Sequence, residues 1–339
     1  MIPFFVLSII ILFLSFVKRD KQLYLFIALG LILIIIAGFR TESVGTDTIN
    51  YSVFFERIKN HGSIPVEPGW VMLNKLVQFI GADYSFFMAF VSVITLLPLL
   101  FIFYKNSENP ILSLFFYYSL YIYFYSFNIS RQVLAVSIVL IAIILLIKNK
   151  KILFLIFLTL AALFHISALI ALPLFFIDKI PNKTIVYISG IGIAFIIGVF
   201  LTETLSNYLI RISSYSGYLE ANVFGNVLGN AMYLILLNAF FIFVLLTITK
   251  RDILFKMFFA YFILANLLAR IPFGGRVLLF YSIFLTLFLP YYLHNNKIKE
   301  KFIPYGIVIL YALIMFYRSF GGGEILPYTN IMFKSILIN

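Results

Sequence analysis

Long apolar runs alternate with short charged loops along the whole chain. Each run is either about as long as a membrane-spanning helix, which needs roughly 20 apolar residues, or a shorter piece of one. The pattern predicts an all-α polytopic membrane protein with about twelve transmembrane segments, within a range of about ten to fourteen, in a single integral membrane domain over residues 1–339. The predicted segments are 2–17, 23–39, 85–104, 111–128, 131–147, 152–164, 166–177, 184–201, 227–249, 253–270, 276–293 and 302–318.

Two stretches depart from a simple span. Residues 152–177 form one apolar run that His165 and Pro173 interrupt. One tilted helix would put the later Lys-rich loop outside, so two short half-spanning pieces that meet near His165 fit the positive-inside rule better. Residues 69–80 mix apolar side chains with Asn, Lys and Gln, which predicts an interfacial amphipathic helix. Two long outer loops, 40–68 and 202–226, are predicted to lie over a site.

Composition narrows the class of protein further. The 339 residues are 63% hydrophobic and only 11% charged, which excludes a soluble domain. The net charge of +12 has no basic patch of soluble-fold periodicity, so the positive-inside rule explains it and nucleic acid is not expected as a partner. Cys is absent and the three His are not paired at ligand spacing. We therefore expect no thiol chemistry, no metal site and no cofactor.

The two basic residue types separate across the predicted topology. Thirteen of the sixteen Lys fall on the cytoplasmic side, whereas seven of the nine Arg fall on the outer side. Lys on the inside is enough to set the orientation. Arg binds phosphate and carboxylate with two parallel hydrogen bonds, where Lys offers a point charge. The outer side is therefore predicted to bind an anionic group such as a phosphate.

One polar island, residues 39–51, follows the second predicted segment. It places Arg40, Glu42, Asp47 and Tyr51 around Gly45, a residue that permits a tight turn. A functional interpretation has Arg40 on an anionic leaving group and Asp47 or Glu42 as a general base. The plain alternative is a solvated loop in which Arg40 only anchors a helix end.

Three later positions extend this candidate site. Glu67 is a second candidate base, and Trp70, the only Trp, offers either a ring for sugar stacking or an ordinary interfacial anchor. Arg131 and Gln132 lie between two apolar runs with almost no loop, where an Arg faces protein or a water-filled cavity unless it snorkels. His165 interrupts an apolar run and is either a packed side chain or a proton shuttle.

A late outer loop carries two arginines around a glycine pair. Arg270 and Arg276 flank Gly274 and Gly275, whose free amides could form an oxyanion nest with Arg276, or simply a turn. No Gly-x-Ser-x-Gly, His-Glu-x-x-His or Walker loop is present, and no Asp-x-Asp pair would hold a metal-bound nucleotide sugar. A nucleotide-sugar enzyme of the cytoplasmic side is therefore disfavoured.

These motifs, taken in order, resemble the EpsG-like and Wzy-type O-antigen (polysaccharide) polymerases of bacterial envelopes. The resemblance runs from about residue 38 to 328, over most of the chain. The matching motifs are Phe39-Arg40 with Gly45-x-Asp47-x3-Tyr51, Glu67-Pro68-Gly69-Trp70, Arg131-Gln132-x-Leu134-Ala135, Phe164-His165-x-Ser167-Ala168, Arg276 before an aromatic helix, and Pro327-Tyr328.

The resemblance implies a metal-independent glycosyltransferase of the inner membrane, with a GT-C-like or O-antigen polymerase–ligase architecture and a periplasmic active face. Its partners would be membrane lipid, an undecaprenyl-pyrophosphate-linked oligosaccharide as donor and acceptor, and a chain-length-determining co-polymerase. The implied site comprises three groups. The residues are catalytic Asp47, Glu67 and His165, pyrophosphate-binding Arg40, Arg131 and Arg276, and sugar-binding Tyr51, Trp70, Tyr215 and Tyr328.

Two other functions remain open at this stage. A ligase would move finished polymer onto a different acceptor and would share the outer arginines. A flippase or exporter of lipid-linked sugars would be expected to carry polar or cationic residues along a pathway through the membrane. Here the ionisable residues are expected to concentrate at one face of the membrane, which favours a polymerase over a transporter.

Overall fold

A computed structural model describes residues 2–201, 227–271, 274–319 and 325–331 of the chain. The described residues are helical, apart from loops and two isolated β-bridges, Arg40 with Asn330 and Ile248 with Asn296. The α-helices are α1 (Ile2–Leu14), α2 (Gln22–Gly38), α3 (Thr48–His61), α4 (Pro68–Phe79), α5 (Tyr84–Asn106), α6 (Pro110–Ser119), α7 (Ile122–Asn128), α8 (Ser130–Ile147), α9 (Lys151–Ala162), α10 (Thr184–Ile196), α11 (Val227–Thr247), α12 (Ile253–Leu268), α13 (Gly274–His294) and α14 (Phe302–Ser319). A 3₁₀ helix covers Ile166–Lys179, and a π-helical turn, Ile197–Leu201, extends α10.

The helices confirm the predicted class of fold. In the described part of the chain, four helical stretches are long and apolar enough to cross a membrane: Arg19–Gly38, Tyr84–Asn106, Ser130–Ile147 and Gly274–His294. Shorter apolar helices accompany them, among them α1, α9, α10, α12 and α14. The chain is an all-helical, multi-pass membrane protein.

The centre of the bundle is built from α6, α8 and α13. Every residue of α6 is buried, and most of α8 and α13 is buried as well. A helix that is apolar on all sides is stable in such a central position, because it has no polar face to turn outward. Around this centre α2 packs on α5, α9 packs on α8, and α12 packs on α13. The peripheral helices are therefore layered around this buried centre.

The two ends of the bundle differ in their charged residues, as the sequence predicts. One end, the Lys-rich end, joins the start of α9 to the end of the 3₁₀ helix through Lys151 Nζ and Asp178 Oδ2, 2.7 Å apart. Lys256 donates to the carbonyl of Asp178 at the same end. The opposite end, the Arg-rich end, carries Arg131 and Arg276. Lysines and arginines that the predicted topology assigns to opposite sides of the membrane therefore lie at opposite ends of the bundle.

Residues 151–179 fold as a hairpin with His165 at its tip. The prediction of two pieces that meet near His165 is confirmed, because the Lys151–Asp178 ion pair closes the other end. The two limbs differ in length, however, since α9 has 12 residues and measures about 18 Å. The 3₁₀ limb has 14 residues and rises about 2.0 Å per residue, so it measures about 28 Å. The 18 residues of α8 measure about 27 Å. The stretched 3₁₀ conformation therefore carries the chain across nearly the same depth.

Three further boundaries differ from the prediction or refine it. The predicted segment 111–128 is broken between α6 and α7, where Tyr121 takes a left-handed conformation with φ of 68°. The loop 40–68 contains a helix, α3, that the sequence pattern did not reveal. The amphipathic helix predicted at 69–80 is α4, which buries Trp70, Asn74 and Val77 on one face. The second predicted loop, 202–226, lies outside the described residues.

Candidate functional site

The polar island folds as a tight loop docked on the junction of α7 and α8. Gly45 has a φ of +92°, and a Cβ at this position would lie 2.3 Å from the carbonyl oxygen of Phe127. Only glycine meets both conditions without strain. The Asn128 side chain accepts a hydrogen bond from the Thr46 amide at 2.9 Å, and Thr48 Oγ1 donates to the Phe127 carbonyl at 2.8 Å. The loop thereby fixes Asp47 at the start of α3.

Arg40 lies inside this junction and is only 4% exposed. Its guanidinium donates to the carbonyls of Ala37 and Ser126 and, at 3.0 Å, to Ser130 Oγ, and it lies 5.3 Å from the centre of the Phe127 ring. The sequence predicts Arg40 as a pyrophosphate ligand. In the structure its guanidinium donates to buried backbone carbonyls where the helices break. This arrangement corresponds to the alternative in which Arg40 anchors a helix end.

Glu67 ties three separate elements together. Its Oε2 accepts from Arg131 Nη1 at 2.5 Å, and its Oε1 accepts from the Ile166 amide at 3.2 Å. The Gly69 amide donates to the Leu163 carbonyl at 2.8 Å, which is a second hydrogen bond between the start of α4 and the hairpin tip. The side chains of Arg131 and Glu67 keep 22% and 19% exposure. This carboxylate thus fixes the hairpin tip against the start of α8 while leaving Arg131 accessible.

Arg276 and Asp47 form the more open side of the site. Arg276 Nη1 lies 4.0 Å from Asp47 Oδ2, and the side chains are 41% and 31% exposed. Gln132 Nε2 donates to the carbonyl of Arg276 at 2.6 Å, so α8 holds the start of α13 in place. Asp47 is the N-cap residue of α3, yet its side chain makes no capping hydrogen bond. Its carboxylate is therefore available to a ligand.

His165 completes the group at the hairpin tip. Burial lowers the pKa of its imidazole, and the nearby cations Arg131 and Arg276 lower it further, while Glu67 opposes them. At neutral pH the ring is therefore neutral and able to accept a proton. These interactions connect His165 with Glu67, Arg131 and Arg276, and the contact with Arg276 connects Asp47 to the same group. We refer to Asp47, Glu67, Arg131, His165 and Arg276 as the charged cluster.

The predicted sugar-binding aromatics lie beneath the charged cluster rather than on its surface. Tyr51 and Trp70 pack with ring centres 5.2 Å apart and ring planes tilted by 53°, in a small core under α3 and α4, and Trp70 has no exposed surface. Burial raises the pKa of Tyr51 to about 12, against the opposing charge of Arg131. Tyr328 is also buried and donates to the Ile36 carbonyl at 2.7 Å. Tyr215 lies outside the described residues.

The second arginine of the late loop also turns inward. Arg270 is buried and donates to the carbonyl of Val199 at 2.8 Å, which joins the loop to the π-helical turn. Gly274 packs so closely that an added Cβ would lie 2.3 Å from the Leu268 carbonyl. Arg276 is therefore the residue of this loop that reaches the charged cluster. Among the described residues, no group of three or more His, Asp or Glu is arranged to hold a metal ion.

The sequence places Gln132 beside Arg131 but predicts no positioning role for Gln132, Asn128 or Tyr84. Asn128 holds the polar loop, Gln132 holds Arg276, and Tyr84 donates to the carbonyl of Thr48 at 2.9 Å. Asn128 and Gln132 flank Arg131 in the sequence, so their polarity between two apolar runs was the available signal. The charged cluster presents two cations beside three proton-accepting groups, an arrangement suited to binding an anion and accepting a proton next to it.

Comparison with known proteins gives one match. A model of the EpsG family matches residues 23–330, nearly the whole chain, including every member of the charged cluster. No curated protein and no solved structure shows a significant match.

Proposed function

Because the chain belongs to the EpsG family, whose members are associated with polysaccharide polymerisation in the membrane, we propose that it polymerises lipid-linked oligosaccharide repeats. In this reaction the growing glycan is transferred from undecaprenyl pyrophosphate to the non-reducing end of a new undecaprenyl-pyrophosphate-linked repeat. The enzyme would be a metal-independent glycosyltransferase without cofactor. About twelve transmembrane segments and a GT-C-like architecture belong to the same proposal.

One observation carries the proposal. Arg131 and Arg276 are the accessible arginines of the charged cluster, and they stand beside carboxylates at the Arg-rich end of an otherwise apolar bundle. A lipid pyrophosphate enters from the membrane and needs cationic donors at the membrane surface. Arginine supplies these donors with bidentate geometry. The apolar helices that carry the two arginines would bring them to the level of the headgroup.

The charged cluster suggests how the transfer proceeds. An acceptor hydroxyl attacks the anomeric carbon of the donor sugar, and the bond from that carbon to the pyrophosphate oxygen breaks. Arg131 and Arg276 stabilise the negative charge that develops on the leaving pyrophosphate. Asp47 accepts the hydroxyl proton, since its carboxylate is half-exposed and is not used as a helix cap.

Glu67 and His165 have supporting roles in this mechanism. Both carboxylate oxygens of Glu67 already hold protein groups, namely Arg131 and the Ile166 amide, so Glu67 positions the cation rather than accepting the proton. The neutral His165 ring lies beside both arginines and is the second proton acceptor available to the acceptor hydroxyl. Arg40 supports the loop that carries Asp47.

The proposal includes an orientation and partners. The Lys-rich end would face the cytoplasm by the positive-inside rule, which puts the charged cluster on the periplasmic face of the inner membrane. A co-polymerase that sets chain length would act with this protein. Transport is disfavoured, because the charged side chains of the described residues gather at the two ends of the bundle instead of following a path between them.

Envelope glycans from a strain lacking this protein test the proposal. The strain is complemented with wild type, with Arg276→Ala, or with Arg57→Ala, which removes an exposed arginine of α3 outside the charged cluster. A polymerase predicts a ladder with wild type and Arg57→Ala, and single-repeat product with the empty strain and Arg276→Ala. Uncapped acceptor in the empty strain would indicate a ligase instead. A normal ladder without the protein would refute both.

A further inference from the structure

A cavity of about 280 Å³ opens beside Arg276 and runs into the bundle. It is enclosed by α11, α12, α13 and α14 together with the α6–α7 segment. Its size is close to the lower end of the range for small-ligand pockets, about 300–1,000 Å³. The cavity adjoins the charged cluster, but none of the cluster's five residues lines it.

The lining of the cavity is rich in hydroxyl groups for a site inside an apolar bundle. Four tyrosines from four different helices and two serines face it. These residues are Tyr125, Tyr233, Tyr261, Ser282, Tyr311 and Ser319. The hydroxyl of Tyr261 lies next to those of Tyr311 and Ser282. A hydroxyl group both donates and accepts, so hydroxyls that converge on one cavity can bond with a polar ligand as well as with one another.

The cavity begins where the charged cluster ends. Gly274 and Gly275, the two residues before Arg276, form part of its lining. A Cβ on Gly275 would lie 3.7 Å from the Tyr125 hydroxyl. Tyr125 is also close enough to Arg276 for an electrostatic interaction. Along α13 the lining extends from Gly274 to Leu285, a distance of about 16 Å at 1.5 Å per residue. A ligand bound at Arg276 can therefore continue into the cavity.

We propose that this tyrosine-lined cavity binds a short saccharide, the part of the lipid-linked repeat nearest its pyrophosphate. The inference rests on the proposed function and adds a sugar subsite to it. Tyrosine suits sugars on both counts, because its ring covers the apolar face of a pyranose and its hydroxyl exchanges hydrogen bonds with sugar hydroxyls. Sugar recognition is thereby assigned to Tyr125, Tyr261 and Tyr311, in place of the buried Tyr51 and Trp70.

The hydrocarbon chain of the carrier lipid has less in common with this cavity. A second cavity, of about 380 Å³ between α10 and α11, shows the contrast. Its lining is made of Ile, Phe, Ala and Gly side chains, with Asn238 as the one polar residue. An isoprenoid has no donor or acceptor to offer to these six hydroxyl groups. A saccharide has several hydroxyls that can exchange hydrogen bonds with them.

Titration calorimetry on the purified full-length protein in nanodiscs tests the inference. The probes are the repeat oligosaccharide freed from its lipid by mild acid, inorganic pyrophosphate, and farnesyl pyrophosphate. The variants are Tyr261→Phe and Tyr311→Phe, which keep the rings and remove the hydroxyls. We expect each to weaken binding of the free oligosaccharide about two- to tenfold, because each removes one hydrogen bond. Binding of inorganic pyrophosphate should not change.

A matched control and the polymerase assay complete the test. Tyr187→Phe removes a buried hydroxyl at the Lys-rich end, where it bonds with Asn182, and should bind the oligosaccharide as wild type does. The inference would be overturned if wild type bound no oligosaccharide, or if all variants bound it equally. It would also be overturned if the tyrosine variants bound only farnesyl pyrophosphate more weakly and the oligosaccharide as wild type does. If the tyrosine variants lose oligosaccharide binding but wild type makes no polymer, the subsite stands and the proposed function fails. If wild type makes polymer but the tyrosine variants bind the oligosaccharide as wild type does, the proposed function stands and the subsite fails.

Discussion

Exchanging each carboxylate of the charged cluster for its amide separates a catalytic base from a structural clamp. Asp47→Asn and Glu67→Gln are nearly isosteric, so both variants keep the side-chain shape. Glu67 uses both oxygens, one on Arg131 at 2.5 Å and one on the Ile166 amide at 3.2 Å. Asp47 has a distant contact with Arg276 at 4.0 Å and no capping role. The two residues should therefore respond differently in stability and in turnover.

The expected magnitudes follow from exposure and contacts. The Glu67–Arg131 pair is about four-fifths buried, so its loss should cost about 1–3 kcal/mol of unfolding free energy, between the values for exposed and fully buried pairs. The Asp47–Arg276 pair is longer and more exposed, so Asp47→Asn should cost less than about 1 kcal/mol. Removing a general base lowers the rate by about 10²–10⁴-fold. Asp47→Asn should show that loss in kcat, and Glu67→Gln a much smaller one.

The assay combines thermal unfolding of the purified protein with initial rates of glycan elongation. Asp47→Asn is expected to unfold at nearly the wild-type temperature and to elongate at a small fraction of the wild-type rate. Glu67→Gln is expected to unfold earlier and to retain most of its kcat. The assignment is wrong if Asp47→Asn elongates within threefold of wild type. It is also wrong if Glu67→Gln loses turnover by a hundredfold without losing stability.

Three more variants probe the surroundings of the charged cluster. Gly45→Ala should prevent the loop from docking and reduce both stability and activity, because the added Cβ would lie 2.3 Å from the Phe127 carbonyl oxygen. Limited proteolysis of the loop 40–48 checks this, since an undocked loop should be cleaved faster than in wild type. Trp70→Ala should destabilise the protein by about 3–5 kcal/mol, since Trp70 is fully buried, and a normal unfolding temperature would contradict its place in the core. The lowered pKa of His165 means that the unfolded chain takes up its proton first, so stability should fall as the pH drops below about 6.5. His165→Gln should remove that part of the pH dependence, and an unchanged pH profile would refute the environment described for the ring.

The sequence predicts the helical class, the hairpin at His165 and the lysines at one end of the bundle, because each follows from hydrophobic length or from the membrane itself. It does not tell which way a charged side chain at a helix end points. Arg40 and Arg276 both lie at the end of a predicted membrane segment. In the structure, however, Arg40 donates to the carbonyls of a helix junction, whereas the Arg276 side chain is half-exposed. That choice depends on where neighbouring helices break, which is decided by packing.

The tyrosine-lined cavity shows the same limit on a larger scale. Its hydroxyl-bearing residues are spread from Tyr125 to Ser319, each within an apolar helix where a tyrosine attracts no notice. Only the packing of α7 against α11 to α14 brings them together. Conversely, Trp70 drew attention as the only Trp, and the fold uses it as core. Rarity in a sequence is a weaker guide to binding than convergence in space.

The most direct test of the central claim is reconstitution of the purified protein with its lipid-linked repeat. Elongated glycan and released undecaprenyl pyrophosphate are measured together, for wild type and for Arg131→Ala and Arg276→Ala. The account predicts one undecaprenyl pyrophosphate released for each linkage formed, and a loss of about a hundredfold or more in each variant. Elongation without release of undecaprenyl pyrophosphate, or wild-type rates in both variants, would contradict it.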